Sequence, residues 1–179
     1  MKKSIVLLAF ALVAMTGCEI KKETKEKETA TEEKAASPET AIKEVTELMD
    51  SFHNALKTKN ADEFKNLLDP EGLYCGTDPS EIYNRDTYAQ LMGETLNNPT
   101  LGAVAYTVDK REIRIDEGNE TATILEQYKV DLFSPEIPWR LVSHAIKKDG
   151  EWVIDFLSFT LVPTNKQQEV INKAVAAEV

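Results

Sequence analysis

Arg140 and His144 stand four residues apart in Trp139 to Lys147, a run that alternates apolar and polar as a strand does. Alternation places Arg140, Val142, His144 and Ile146 on one face and Trp139, Leu141, Ser143 and Ala145 on the other. A guanidinium inside a low-dielectric pocket can clamp a ligand carboxylate through two parallel hydrogen bonds. Its structural alternative is an ion pair with an acid such as Asp78 or Asp155. The imidazole of His144 titrates near neutrality and can act as general acid or base, or serve simply as a packed sheet residue. Asp78 follows Thr77 and precedes Pro79, a setting for capping or a turn; burial would raise its pKa and make it a base. His53, beside Phe52 in a helical pattern, belongs either to an exposed face or to a helix–sheet seam.

Several chemistries find no support. Ser143, His144 and Asp155 can be written as a triad, but neighbours on one strand point to opposite faces. Two histidines and two cysteines without ligand spacing give no metal site, and no cofactor is expected. No nucleophile elbow, P-loop or dinucleotide fingerprint occurs. Cys75 lies in the apolar stretch Leu73-Tyr74-Cys75-Gly76 and reads as a small buried hydrophobe. The formal net charge of −10 repels phosphate backbones and anionic headgroups, so nucleic acid is not an expected partner. At 42% hydrophobic and 29% charged the chain can form a core, and 179 residues allow one domain with a tail.

The N-terminus carries an address. Lys2 and Lys3 precede an uncharged apolar run from Ile5 to Met15, and Ala14-Met15-Thr16-Gly17-Cys18 closes it with small residues. The run is short for a membrane span and matches a secretory signal. Its terminal cysteine makes it resemble a bacterial lipoprotein signal, which implies cleavage after residue 17 and a lipid on Cys18. That resemblance implies a membrane partner held through the lipid. It places the chain in the outer membrane of a diderm or on the outer face of a monoderm plasma membrane. Residues 18–38, rich in Glu, Lys, Thr and Ala, read as a charged tether, and 39–179 as the folded domain.

The elements must then position the candidates. Ser37 caps a long helix whose apolar residues, Ala41, Ile42, Val45, Leu48, Met49, Phe52, Ala55 and Leu56, recur every three or four positions. Asn60 caps a second helix over Ala61 to Leu68, and Asp69 to Gly72 reads as a turn. Leu73 to Gly76 reads as a short strand, and Thr77 to Ser80 starts a helical turn carrying Ile82 and Tyr83. Asp86 caps a third helix ending at Asn97. Four strands follow, over 104–115, 120–132, 139–147 and 152–161, with Pro135 and Pro138 in a loop. In the first of these the apolar side switches from Tyr106 and Val108 to Ile113 and Ile115, which predicts a bulge. Asp149-Gly150 marks a tight hairpin, and Asn165 to Ala177 a terminal helix. Helices first and an antiparallel meander second give an α+β class.

This order, with Phe52 to Asp62, Gly76-Thr-Asp-Pro-Ser-Glu-Ile-Tyr83, and Arg140 followed by Lys148-Asp-Gly-Glu-Trp152, resembles the NTF2-like, or SnoaL-like, superfamily over about 39–162. The resemblance implies a cone: three N-terminal helices packed into a curved, mainly antiparallel sheet, plus here a C-terminal helix. It implies that the Arg140 face lines a pocket, with Phe52, Tyr74, Asp78, Tyr83, Tyr128, Arg140, His144, Phe156 and Ser158 as candidate pocket residues. Trp139 and Phe159 are further aromatics expected near the cavity or a sheet surface. The superfamily contains dehydratases, isomerases and cyclases, and also members that only bind or oligomerise. Where its SnoaL-like branch often shows His-x-His-x-Ser, this chain has Phe156, Ser158 and Thr160. Loss of those histidines favours a non-catalytic domain; the resemblance implies a homodimer that binds a small ligand, an acidic one among the options, or a protein partner in or near the cone. A dehydratase or isomerase using the same cavity, and a pure oligomerisation module, are the alternatives. No motif fixes a chemistry.

Overall fold

The computed structural model describes residues 37–178. The signal, Cys18 and most of the tether lie outside the described residues. Helix α1 (Pro38–Thr58) begins at the Ser37 cap, whose side chain accepts from the Thr40 amide, and ends where Lys59 turns left-handed. Its apolar stripe buries Ala41, Val45, Met49, Phe52 and Ala55 completely. Helix α2 (Ala61–Asn66) follows from its Asn60 cap. Strands β1 (Leu68–Cys75) and β2 (Ile82–Tyr83) precede helix α3 (Arg85–Leu96). Then come β3 (Val108–Ile115), β4 (Thr121–Val130), β5 (Ser134–Lys148), β6 (Glu151–Leu161) and helix α4 (Asn165–Glu178).

The six strands form one sheet in the order β2-β1-β6-β5-β4-β3, with every pair antiparallel except β1 and β6. The α+β class expected from the element order is therefore present, with the mixed six-stranded sheet that the resemblance implies and one parallel pair inside it. The predicted bulge falls between Val108 and Lys110. In the β5–β6 turn Asp149 and Gly150 both take positive φ, the geometry a tight hairpin demands.

Several local expectations need correction. Asp69 to Gly72 is part of β1, not a free turn. The register against β6 slips between Leu68 and Leu73, and the Tyr74 hydroxyl pins the irregular stretch by donating to the Asp69 and Ile154 carbonyls. Ile82 and Tyr83 form a strand on β1 rather than a helical turn. Asn84, not Asp86, caps α3 by accepting from the Thr87 amide. Residues 104–107 precede β3, and Pro135 and Pro138 lie inside β5, towards its start, where the ladder tolerates a missing N–H.

The face of β5 is also reversed from expectation. Leu141, Ser143 and Ala145 are buried, and Trp139 points to the same side, whereas Arg140, Val142, His144 and Ile146 lie on the outer face. The register explains it. Tyr128, Glu126, Ile124 and Ala122, all buried on β4, stand opposite Trp139, Leu141, Ser143 and Ala145. Both faces of β5 carry apolar residues, so its own alternation does not choose the inner one. Helix α4 stands apart, with Val170 and Val175 largely exposed. No described helix is long and apolar enough to cross a membrane.

Candidate functional site

A cavity of about 430 Å³ opens between α3 and the inner face of the sheet. Its helical wall is one stripe, Tyr88, Leu91, Met92, Thr95 and Leu96, the spacing that brings side chains into line on a helix. Tyr128 and Val130 from β4, Trp139 from β5 and Phe159 from β6 form the sheet wall. Phe133 is about half exposed and meets Trp139 edge-on, and Trp139 meets Phe159 the same way, so three aromatic rings frame one end. The indole N–H of Trp139 is buried and finds no acceptor among the described residues.

The turn after β1 supplies the polar rim. Gly76, Thr77 and Glu81 border the cavity. The Glu81 carboxylate accepts from the Thr77 amide at 2.7 Å and from the Asp78 amide at 3.0 Å. A Cβ at Gly76 would run into that carboxylate, so a larger residue there would push Glu81 off the rim. Glu81 is thus committed to holding the rim. Asp78 itself is exposed, and hydrogen bonds from the Ser80 hydroxyl and amide hold its carboxyl below the usual range. It is not a raised-pKa base.

The remaining expected pocket residues separate into groups. Tyr83 and Tyr128 line the cavity. Phe52 and Tyr74 are fully buried core residues. Arg140, His144, Phe156 and Ser158 lie on the outer face of the sheet, in register with one another's strands and away from the cavity. This corrects the expectation that the Arg140 face lines the cone. There the Arg140 Nη2 donates to Gln127 at 3.3 Å, and His144 Nδ1 meets Asp155 at 2.7 Å. Asp155 sits where β6 bulges past His144, which brings the pair together.

A second, polar cleft of about 510 Å³ lies between α1 and the start of β3, lined by Asp50, His53, Asn54, Lys57, Thr107, Val108 and Arg111. Beneath it sits a charge network with no counterpart in the sequence reading. Glu126, wholly buried on β4, accepts from Arg111 Nε at 2.5 Å and from His53 Nε2 at 2.6 Å. Arg111 also donates to Asp50 at 2.8 Å. Burial works against the Arg111 charge, but Asp50 and Glu126 hold the guanidinium protonated more firmly than usual. His53 Nδ1 meets the Tyr106 hydroxyl at 2.8 Å, and Tyr106 also lines the apolar cavity. Tyr106 stacks on Tyr128 at 4.9 Å, and burial pushes both phenols above their ordinary pKa. His53 is therefore at the helix–sheet seam, fixed on both ring nitrogens. The signal that could have found Glu126 was its place among Ala122, Ile124, Tyr128 and Val130, an acid on an otherwise apolar strand face.

Among the described residues no group of three His, Cys, Asp or Glu side chains is arranged to hold a metal. Cys75 is free and partly buried.

Comparison with known proteins agrees with this architecture. A domain of unknown function with a cystatin-like fold from Nostoc punctiforme PCC 73102 superposes with a TM-score of 0.63 at 14% identity, covering 77% of this chain and 86% of that one. An NTF2-like protein of unknown function from Pseudomonas putida KT2440 gives 0.61 at 9% identity, with 74% and 94% covered. A putative calcium/calmodulin-dependent protein kinase II association domain from Xanthomonas campestris gives 0.54 at 20% identity, with 67% and 86% covered. At these identities the likeness is one of fold. Among curated proteins none matches the chain. The model of the SnoaL-like domain matches residues 45–161, and the chain belongs to that family within the NTF2-like fold.

Proposed function

We propose that this chain is a lipid-anchored protein of the bacterial cell envelope whose NTF2-like domain binds a small molecule in the cavity without transforming it. The observation that carries the reading is the make-up of the cavity wall. It is mainly apolar, holds no histidine, and its one carboxylate, Glu81, is taken up by two backbone amides. General acid–base catalysis needs a group free to exchange a proton within reach of the ligand. His144 faces away from the cavity, and His53 is tied between Glu126 and Tyr106. With Arg140 on the outer face, the wall offers no clamp for a carboxylate. The ligand class moves from acidic to apolar.

Saturable binding with full chemical recovery of the bound compound supports this reading. Turnover abolished by Tyr106→Phe in a folded protein would instead favour the dehydratase or isomerase alternative. Membrane anchoring rests on the signal-like segment ending in Cys18. Metabolic labelling with palmitate should mark the wild-type chain and not Cys18→Ser; equal labelling of both removes the anchor. The outer sheet face, where Leu73, Phe156 and His144 lie side by side, is the proposed contact between two copies. Sedimentation should give a dimer that Phe156→Asp separates, whereas a monomer at high concentration would rule that contact out.

A further inference from the structure

Resting on the proposed lipid anchor at Cys18, we infer that the mouth of the apolar cavity docks on a lipid surface, the bilayer in which that anchor is held. Leu132 and Phe133, in the turn between β4 and β5, are 43% and 53% exposed, and Leu161 at the end of β6 is 42% exposed. All three sit at the cavity mouth. Phe133 lines the cavity and meets Trp139 edge-on, and Leu161 stands opposite Trp139 on the β5–β6 ladder. The Leu132 side chain borders Gly102, next to the cavity residue Leu101. With Leu91 on the helical wall and three residues of α4, seven of the ten exposed large apolar residues among those described belong to this mouth or to the helix that follows it. Apolar residues exposed singly are ordinary, but gathered at one opening they mark a contact surface.

The chain outside the structure is long enough to bring that mouth to the bilayer. Helix α1 enters at the far end of the domain, where Glu44 binds Lys147 and Trp152 beside the β5–β6 hairpin. On β5, eight residues separate Lys147 from Trp139 at the mouth, about 26 Å at the strand rise. Seven residues of helix from Glu44 back to Ser37 add about 10 Å, so the entry point lies within about 40 Å of the mouth. The nineteen steps from Cys18 to Ser37 reach at most about 65 Å. The anchor thus keeps a lipid surface within range of the exposed residues at all times. With a formal net charge of −10 the chain gains nothing from anionic headgroups. Docking therefore runs on burial of Leu132, Phe133 and Leu161 at the acyl boundary, and it opens the cavity towards a source of apolar ligand.

The test is bromine quenching of tryptophan emission from the intact, lipid-modified chain held in vesicles of dioleoylphosphatidylcholine or of its brominated analogue. Bromine on an acyl chain quenches an indole only at near contact. The chain's two tryptophans stand at opposite ends of the β5–β6 ladder, Trp139 at the mouth and Trp152 opposite Lys147. Brominated vesicles should dim the wild-type emission, and high salt should leave that loss unchanged, because the contact is apolar. Trp139→Phe should remove the loss and Phe133→Trp should deepen it. Leu132→Asp combined with Phe133→Asp should abolish it while the chain still floats with the vesicles. The comparison of the two vesicles uses the unmodified chain, so it stands if a variant fails to fold. Equal emission in both vesicles from an anchored wild-type chain would overturn the docking and leave the anchor intact, as a mouth that takes a protein partner requires. A loss retained in Trp139→Phe would set the hairpin end on the bilayer and overturn the docking of the mouth. A wild-type chain that does not float with the vesicles would remove the anchor and the docking with it.

Discussion

His53 Nε2 and the Glu126 carboxylate meet at 2.6 Å in the middle of the domain, at 3% and 0% exposure. A carboxylate so placed is tolerated only because Arg111 and His53 each donate to one of its oxygens. The bonds run from α1 through β4 to the edge strand β3, so the network ties the long helix to the open side of the sheet.

Breaking this network from one side should be severe. Glu126→Leu leaves Arg111 with Asp50 and His53 with Tyr106 but removes the buried carboxylate between them, and should cost about 3 to 5 kcal/mol in urea unfolding. Adding Arg111→Met and His53→Leu to it should recover much of the loss, because an apolar cluster replaces the ions. A single Glu126→Leu protein as stable as the wild type would show that the buried carboxylate holds nothing together.

Alkaline stability follows from the tyrosines. Burial raises the pKa of Tyr74, Tyr88, Tyr106 and Tyr128 above the ordinary 10.0. A group protonated more tightly in the folded state contributes stability present below pH 10 and lost as pH rises beyond it. Absorbance titration of the phenols should therefore coincide with loss of circular dichroism. Ionisation of these four before any unfolding would contradict the packing described.

On the acid side, the Lys147 ammonium and the Trp152 N–H bind the Glu44 carboxylate and lower its pKa below 4.5. Burial alone would raise Asp69, but Lys148 and the Glu71 amide bring it below 3.8. Depressed acids stabilise above their ordinary values, and that contribution fades as pH falls through the folded ones. The Lys148→Met protein should acid-unfold at a higher pH than the wild type. An unchanged midpoint would argue against the Lys148–Asp69 bond.

Gly150 has φ of +85°, with open space where a side chain would stand. Gly150→Ala should cost about 1 kcal/mol through backbone strain alone, without altering ligand binding. A stabilised variant would mean that the hairpin takes another turn in solution.

How much of this was legible in the sequence depended on whether the cause was local. The Ser37 and Asn60 caps, the α1 stripe, the bulge near Val108 and the Asp149-Gly150 hairpin are set by neighbours in the chain, and each is present. The inner face of β5 is decided by strands beside it, since Val142 and Ile146 are as apolar as Leu141 and Ala145. Reading that face the wrong way placed Arg140, His144, Phe156 and Ser158 in a pocket they do not line. Of the expected pocket residues, Tyr83 and Tyr128 line the cavity, whereas Glu126 and Arg111 carry no expectation from the sequence. The apolar face of β4 marks Glu126 as a buried acid, but its partners lie 15 and 73 residues away, and no local pattern names them.

The central claim is that the apolar cavity holds a small molecule, and it can be tested without choosing that molecule. The full chain and its Met92→Trp form would be purified from the native host, and their organic extracts compared by mass spectrometry. The account predicts an apolar compound near one per chain in the wild type and its loss from the folded variant. A wild-type protein that carries nothing, or the same compound at the same level on both proteins, would contradict it.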